Sequence, residues 1–329
     1  MKIITPSVEI MRTGLETEFM TPEQFIEKVG RTCYKSEDKI TDDSAAKFVG
    51  NLIKRGHDAM IEHWSMIFQT TGEQYDEILE DWDILMHCLV VKPDDEEPLR
   101  PYLRFTDDAC TEGYERHCII SGNMRAWRDY VRACIAGFGF VPVYLYGLIR
   151  NNPLFFPEYQ DYTPTNFKDD ILLPICLSEL TAAERRVHQD ITMKFVCDRG
   201  VSHEMVRHRV ASFAQESTRY CNYSGDKFGN EITVVRPSWC EFGSKKFCMW
   251  EAGCMRAEEA YFDLIDEGST PQEARSVLPN SLKTEIIVTM NLDGWSHFFG
   301  LRDASAAQPD MREVAKMAHD LYNGELYYV

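Results

Sequence analysis

Three arginines, a histidine and several short polar side chains are concentrated between residues 207 and 219. Arg207-His208-Arg209 comes first, and Gln215-Glu216-Ser217-Thr218-Arg219 follows after five residues. Arginine presents a planar fork of N–H donors that matches phosphate and carboxylate oxygens, and the hydroxyl and amide groups add short polar contacts. The cluster therefore suits a ligand that carries phosphates and a planar hydrogen-bonding ring. Composition alone leaves a solvated helix end and polar loop open as the alternative.

The elements that must position this cluster follow from apolar periodicity and capping residues. Residues 191–196 alternate as a short strand, and Ser202 is predicted to cap a helix that ends at Arg207-His208-Arg209. Glu204 precedes Arg207 and His208 by three and four residues, so it can orient them on one helix face. The other predicted elements are helices over about 21–33, 44–54, 75–89, 124–136, 255–265, 293–301 and 309–322, and a strand over 283–291.

Charge and cysteine usage limit the class of protein. The chain has 329 residues and a formal net charge of −18, which disfavours a nucleic-acid-binding module because such modules need a basic surface. Its 11 cysteines include no Cys-x-x-Cys pair, so no metal site is expected. No apolar run approaches membrane-spanning length, and we expect a cytoplasmic protein with reduced thiols and no membrane partner.

Three separated motifs resemble the flavin-dependent thymidylate synthases. Arg207-His208-Arg209, seven residues, then Ser217 resembles the family signature, and Asp198-Arg199-Gly200 resembles the approach to it. Gln272-Glu273-Ala274-Arg275-Ser276-Val277-Leu278-Pro279 is similar to a second signature. The strand to Asn291 and the helix ending in Leu301-Arg302 are similar to a third. The matches occur in family order and cover about residues 20–68 and 190–320.

The resemblance implies an α/β (α+β) fold, a twisted and mostly antiparallel sheet flanked by helices, assembled as a homotetramer. It also implies an FAD-dependent methyltransferase that converts dUMP to dTMP. Methylenetetrahydrofolate would supply the carbon and NADPH the reducing equivalents. An anionic nucleotide and a flavin that gains negative charge on reduction both need positive groups nearby, which the arginines can provide.

The resemblance also assigns roles to individual residues. Arg302, Ser217 and His57 are the catalytic candidates; Arg302 would face the uracil ring and favour its ionised N3. Ser217 has no base beside it in sequence except His208, so substrate binding is the preferred role for it. The cofactor-binding candidates are Arg207, His208, Arg209, Gln215, Asn291, His297 and Glu62. The substrate-binding candidates are Glu204, Arg207, Gln215, Glu216, Ser217, Thr218, Arg219, Arg275 and Arg302.

His57 and Glu62 come from a stretch in which a helix is followed by a Glu-His pair and an apolar strand. In the family the matching histidine lies near the flavin. A loop histidine and a glutamate at a strand edge are the alternative reading, and the residues alone favour it.

Residues 69–189 depart from the family pattern and are interpreted as a mainly helical insertion in a single domain spanning 1–329. The insertion contains an acidic turn at 93–98 and repeats one pattern, an apolar strand, Asn, then Trp four residues later, at Asn123 and Asn291. Asp293 stands where the family usually has an arginine near the flavin, and Ala59 and Ala306 are further departures. Arg125 is hypothesised to offset Asp293, with a plain surface position on a helix as the favoured alternative.

Two other functions remain compatible with the sequence. One is a flavin- and folate-dependent hydroxymethylase that acts on another pyrimidine nucleotide. The other is a non-catalytic nucleotide-binding paralogue, which the intact Arg207, Arg219, Arg275 and Arg302 disfavour.

Overall fold

The structure, a computed structural model, describes residues 1–12, 20–89, 103–107, 118–162, 172–219, 221–225 and 229–326. The predicted acidic turn at 93–98 and Tyr220 lie outside the described residues. The chain forms two compact units. The first unit comprises Met1–Thr13, Lys28–Ile40 and Ile191–Val329, and the second comprises Gly14–Glu27 and Thr41–Asp190.

Strands and helices alternate irregularly along the chain. The strands are β1 (Lys2–Ile4), β2 (Ser7–Arg12), β3 (Ser65–Thr70), β4 (Leu103–Asp107), β5 (Cys118–Asn123), β6 (Leu173–Pro174), β7 (Asp190–Asp198), β8 (Ser212–Gln215), β9 (Thr233–Val235) and β10 (Lys283–Asn291). The helices are α1 (Pro22–Tyr34), α2 (Ser44–Lys54), α3 (Gly72–Leu89), α4 (Met124–Phe138), α5 (Tyr146–Asn151), α6 (Ala182–His188), α7 (Arg199–Met205), α8 (Lys245–Asp266), α9 (Pro271–Ala274), α10 (Leu292–Arg302) and α11 (Pro309–Leu326).

The first unit is built on a four-stranded sheet in the order β2-β7-β10-β8. β2 pairs antiparallel with β7, and β8 pairs antiparallel with β10. Seven of the nine residues of β10 are buried in a row, which is the mark of a central strand covered on both faces. Trp295 of α10 is fully buried against Phe195 of β7, and its indole N–H donates to the Ile191 carbonyl at 3.0 Å. This packing fixes α10, and with it Arg302 at the helix end.

The second unit has its own four-stranded sheet, in the order β4-β5-β3-β6, and all its strand pairs are antiparallel. Every residue of β5 is buried, and Trp127 of α4 packs edge-on against Phe68 of β3. The expected α/β architecture with mostly antiparallel strands is therefore confirmed. In the described part of residues 69–189 helices predominate, as expected, but the sheet that β4, β5 and β6 form with β3 was not anticipated.

Most predicted helices are found, with changes at their ends. Gly56, the second residue after α2, adopts φ +68°, the left-handed conformation that ends helices and suits glycine. α8 begins at Lys245, ten residues before the predicted start, because Ser244 caps it by accepting a hydrogen bond from the Phe247 N–H at 3.1 Å. Within the described part of the chain, no helix combines the length and apolar character needed to cross a membrane.

Candidate active site

The arginine-rich segment lies on a turn between α7 and β8. Asp198 ends β7 and caps α7, since its Oδ1 accepts from the Val201 N–H at 2.7 Å. The prediction that Ser202 caps this helix was wrong, because Ser202 lies inside the first turns, buried, and donates to the Arg199 carbonyl. α7 ends at Met205, so residues 207–209 follow the helix instead of ending it.

Arg302 joins two segments that are far apart in sequence. Its Nη1 donates to the Glu204 carboxylate at 2.6 Å, and its Nη2 donates to the Glu204 carbonyl at 3.1 Å. Its Nε–H donates to His208 Nε2 at 2.8 Å. A guanidinium carries five N–H donors, and these contacts use three of them. The side chain is thus held rigidly at the end of α10 while retaining donor capacity for a ligand.

His208 is neutral in this arrangement. Because Nε2 accepts from Arg302, the ring proton lies on Nδ1. The ring is buried and packs on Phe298, with centroids 4.8 Å apart, and lies 6.2 Å from the ring of His297. Burial, together with the Arg302 cation and His297, lowers the pKa of His208 to about 4.

We expect the His208 ring to titrate near pH 4 instead of near its ordinary value of 6.5. Between these values the unfolded chain binds a proton at His208 that the folded chain does not, so the stability of the fold rises with pH across this window. Selective NMR titration of the histidine rings measures the midpoint. In parallel, His208→Gln should reduce the difference in urea stability between pH 5 and pH 7. A His208 midpoint near 6.5 would contradict the buried, neutral ring.

The residues after β8 meet α9 and the short helical turn that follows it. Arg275 Nη1 donates to the Thr218 hydroxyl at 3.1 Å, and Arg219 Nε donates to the Gln272 side-chain carbonyl at 3.2 Å. Arg219 is exposed and Arg275 is half-buried. The Ser217 hydroxyl accepts a hydrogen bond from the Arg219 amide at 3.4 Å. The structure therefore brings Ser217, Thr218, Arg219 and Arg275 together, two cations beside two hydroxyls, a set suited to an anion.

Gln215 and Glu216 face into the protein. Gln215 Nε2 donates to the hydroxyls of Ser202 at 2.8 Å and Thr284 at 3.1 Å. The Glu216 carboxylate is buried and accepts from Lys283 Nζ at 2.9 Å. Sequence reasoning missed Thr284 and Lys283. Their signal was the polar run Lys283-Thr284-Glu285 at the start of an otherwise apolar strand.

Apart from Gln215 on β8, the candidate flavin contacts in the first unit lie near the start of α10 and on the turn after α7. The Asn291 side chain caps α10 by accepting from the Gly294 N–H at 2.9 Å, and a Cβ on Gly294 would lie only 3.0 Å from that Asn291 oxygen. His297, Arg207 and Arg209 are exposed, and Asp293 is half-buried in the first turn of α10. The two exposed arginines are of the type and charge that a pyrophosphate requires.

His57 and Glu62 lie in the second unit. His57 is exposed at the start of a helical turn, Asp58–His63, and Glu62 is buried near its end. Glu62 accepts from Arg125 Nη1 at 2.5 Å, and Arg125 also pairs with Asp129 at 3.4 Å. Arg125 is therefore engaged by two carboxylates of its own unit, which favours the plain surface reading over the hypothesis that it offsets Asp293.

The repeated pattern at Asn123 and Asn291 is structural. Asn123 caps α4 by accepting from the Ala126 N–H at 2.8 Å, as Asn291 caps α10. Trp127 and Trp295, four residues after each asparagine, are both fully buried. Each pattern therefore builds the same local unit, a buried strand that turns through an asparagine cap into a helix anchored by tryptophan.

Comparison with known proteins identifies relatives of the chain. The sequence model of the family described as thymidylate synthase complementing protein matches residues 15–73 and 185–324. The flavin-dependent thymidylate synthase of Geobacter sulfurreducens is 40% identical over 117 residues, 36% of this chain and 49% of that protein. The enzyme of the same name from Pyrococcus furiosus is 39% identical over 126 residues, 38% of this chain and 51% of that protein. These alignments span about half the length of the curated relatives.

Among solved structures, a UMP/dUMP methylase, PolB, from Streptomyces cacaoi, bound with 5-Br dUMP, is similar to this chain with a TM-score of 0.34 and 23% identity. The similarity covers 41% of this chain and 66% of that one.

Proposed function

Because the chain belongs to the thymidylate synthase complementing protein family, we propose that it is an FAD-dependent thymidylate synthase. It methylates dUMP at C5 to give dTMP, with methylenetetrahydrofolate as the carbon donor and NADPH as the reductant. The observation that carries this proposal is the pair of arginine sites in the first unit. Arg219 and Arg275 flank two hydroxyls, and Arg302 is held separately by Glu204 and His208.

The first arginine site binds the phosphate of dUMP. A phosphate dianion accepts several hydrogen bonds at once, and guanidinium and hydroxyl groups are its usual donors. Arg219 and Arg275 come from segments more than fifty residues apart, so the fold must be formed before they can act together. Ser217 and Thr218 then serve as substrate-binding residues.

The second site acts on the uracil ring. Arg302 donates to the ring edge and favours the ionised form of N3, which makes C5 more nucleophilic. Glu204 and His208 orient the guanidinium, and the neutral His208 adds no competing positive charge beside it. A donor fixed before the reaction stabilises developing charge without a reorganisation cost.

The exposed residues fit FAD. Arg207 and Arg209 suit its pyrophosphate, and His208, His297 and Asn291 provide ring and amide contacts on neighbouring elements. The family resemblance adds His57 and Glu62 as proposed cofactor contacts, with His57 also a catalytic candidate. When bound, FAD supplies the hydride that reduces the transferred carbon to a methyl group. Positive side chains beside the flavin favour its reduced form, so the half-buried Asp293 in the first turn of α10 is an unfavourable neighbour for it.

The cysteines next to the substrate segment are unsuited to attack on the pyrimidine. Burial raises the pKa of Cys221 to about 12, and the nearby Glu216 carboxylate adds to the effect. Burial likewise raises the pKa of Cys33 to about 12. Since the thiolate is the nucleophilic form, neither thiol is active near neutral pH. This agrees with a reaction in which the flavin supplies the hydride and no cysteine adduct forms.

We also propose that the protein is a homotetramer. Several large apolar side chains around the start of α8 are exposed: Phe242 at 79%, Met249 at 67% and Trp239 at 51%. Exposed apolar side chains of this size, close together in sequence, support self-association. Sedimentation equilibrium measures the mass of the assembly.

The purified protein is expected to carry or bind FAD and to oxidise NADPH in a reaction stimulated by dUMP. We expect this because the first unit holds both proposed arginine sites, one for the substrate phosphate and one for the uracil ring. It also holds the exposed Arg207 and Arg209, which are proposed to bind the FAD pyrophosphate. A visible absorption spectrum detects the flavin, and chromatography of the product distinguishes dTMP from a hydroxymethylated nucleotide. The assay is run with dUMP and with dCMP in parallel. A protein that binds dUMP but no flavin would instead be a non-catalytic paralogue.

A further inference from the structure

Glu216, just before the proposed phosphate site, belongs to a cluster of two buried glutamates and three half-buried lysines. This set is here called the Lys–Glu cluster: Lys35, Lys194, Lys283, Glu216 and Glu285. Lys283 Nζ bonds both glutamates, and its distance to Glu216 Oε2 is 2.9 Å. Lys35 Nζ lies 2.5 Å from Glu285 and 3.8 Å from Glu216. Lys194 Nζ reaches Glu285 from β7 at 2.9 Å. The side chain of Glu216 is only 3% exposed, so its charge is largely shielded from water.

Glu216 also completes the backbone pairing between β8 and β10. Its N–H donates to the Glu285 carbonyl at 2.8 Å, one residue past the end of β8 at Gln215. The Glu285 N–H donates back to the Glu216 side chain at 3.1 Å, so the carboxylate takes the place of a main-chain acceptor. The next residue, Ser217, donates its N–H to the Cys33 carbonyl at 3.2 Å. The segment leading to Thr218 and Arg219 is therefore held from two sides.

Lys35 supports the same segment from the end of α1. It has φ +48°, a left-handed conformation that a residue with a Cβ rarely adopts. The backbone there closes α1, because the Ser36 N–H donates to the Arg31 carbonyl at 3.1 Å. A lysine is useful at this position because its ammonium group reaches Glu285. Unfavourable backbone conformations of this kind are concentrated at functional sites.

The charges of the cluster depend on one another. Burial opposes the charged form of Glu285, but Lys283 and Lys35 lower its pKa to about 2. Glu216 and Glu285 in turn raise the pKa of Lys283 above its ordinary value, against the effect of burial. Removing one partner of such a pair leaves an uncompensated buried charge, which displaces the groups around it.

We propose that Glu216 and Lys283 are positioning residues that fix the backbone of residues 217–219 in the geometry required to bind the substrate phosphate. This inference rests on the proposed function, because it takes dUMP as the ligand. It gives Glu216 an indirect role in place of the direct substrate contact that the family resemblance implied. Lys283, which that resemblance left without a role, becomes part of the substrate site.

Glu216→Gln tests the proposal, since glutamine keeps the acceptor for the Glu285 N–H but removes the charge that holds Lys283. The KM for dUMP should rise roughly tenfold, with kcat changed by less than about twofold and FAD affinity unchanged. Lys194→Met is the matched control: it removes a lysine that bonds Glu285 on the side of β7, while Glu285 stays compensated by Lys35 and Lys283. This control should leave the KM for dUMP unchanged. If Glu216→Gln does not fold, Lys283→Met is measured in its place, with the same rise in KM expected.

Hydrogen exchange in the ligand-free protein separates this inference from the proposed function. Glu216→Gln should accelerate exchange of the Ser217 and Arg219 amides, and Lys194→Met should not. If the wild-type protein binds no dUMP, the proposed function fails. The hydrogen-exchange comparison then still tests whether Glu216 holds the backbone of residues 217–219. An unchanged KM in Glu216→Gln, or an equal rise in Lys194→Met, would show that the cluster only stabilises the fold and would overturn the positioning role.

Discussion

Replacement of Arg302 by alanine is expected to reduce methylation of dUMP by roughly 100- to 1000-fold while FAD remains bound. A loss of this order is typical when one fixed donor to developing charge is removed. Arg302 satisfies the structural condition for such a role, because Glu204 and His208 hold three of its nitrogens in place. Single-turnover kinetics with prereduced enzyme measures the effect on the chemical step, and flavin absorbance after gel filtration measures FAD retention.

The same variant has a second readout that does not depend on turnover. The Arg302 cation is one of the groups that lower the pKa of His208, so its removal should move the titration of His208 upward from about 4. Arg312→Ala is the matched control: Arg312 lies on α11 and donates to the Ser305 carbonyl. Arg312→Ala should change neither the rate of dUMP methylation nor the titration of His208. Near-normal methylation by Arg302→Ala would remove Arg302 from the mechanism.

Arg219→Ala should raise the dissociation constant for dUMP about ten- to a hundred-fold, because a hydrogen bond to a charged group contributes roughly 1.5–3 kcal/mol. The contacts of Arg219 place it beside Gln272 and next to Thr218 and Arg275, in the proposed phosphate site. FAD affinity should be unchanged, because Arg219 is not among the candidate flavin contacts, which in the first unit are Arg207, His208, Arg209, Gln215, Asn291 and His297. Calorimetric titration of dUMP, and of FAD, measures both constants.

Two controls sharpen the Arg219 experiment. Arg256→Ala removes an exposed arginine from α8 and should leave dUMP binding intact, which separates a local contact from the general effect of one charge. Deoxyuridine, which lacks the phosphate, should bind the wild type and Arg219→Ala with similar affinity. Equal loss of dUMP and FAD would show that the site assignment is wrong.

Sequence patterns predicted the elements well where local chemistry decides the outcome. The helices predicted over about 21–33 and 44–54 are found at Pro22–Tyr34 and Ser44–Lys54, and Thr21 and Gln24 form reciprocal capping contacts at the start of the first. The cap of α7 was misassigned because both Asp198 and Ser202 are good capping residues by type. Only the end of β7 at Asp198 decides between them.

The sequence by itself determined the chemical character of the candidate site. Arginine, histidine and hydroxyl types at fixed spacing between 207 and 219, with Arg275 and Arg302 later in the chain, already indicated an anionic, ring-containing ligand. Family membership followed from the same residues. Side-chain type and short-range spacing carry this information, since they need no knowledge of distant contacts.

Only the tertiary structure decided which of these residues act together and which serve as support. Arg302 meets Glu204 and His208 across more than ninety residues of chain, and Glu216 turns inward to Lys283 instead of outward to a ligand. The state of His208 is likewise set by burial and by Arg302, neither of which a local pattern contains. The physical reason is that orientation, burial and electrostatic coupling arise from long-range packing, which is fixed only when β7, β8 and β10, the strands next to these residues in the chain, join one sheet.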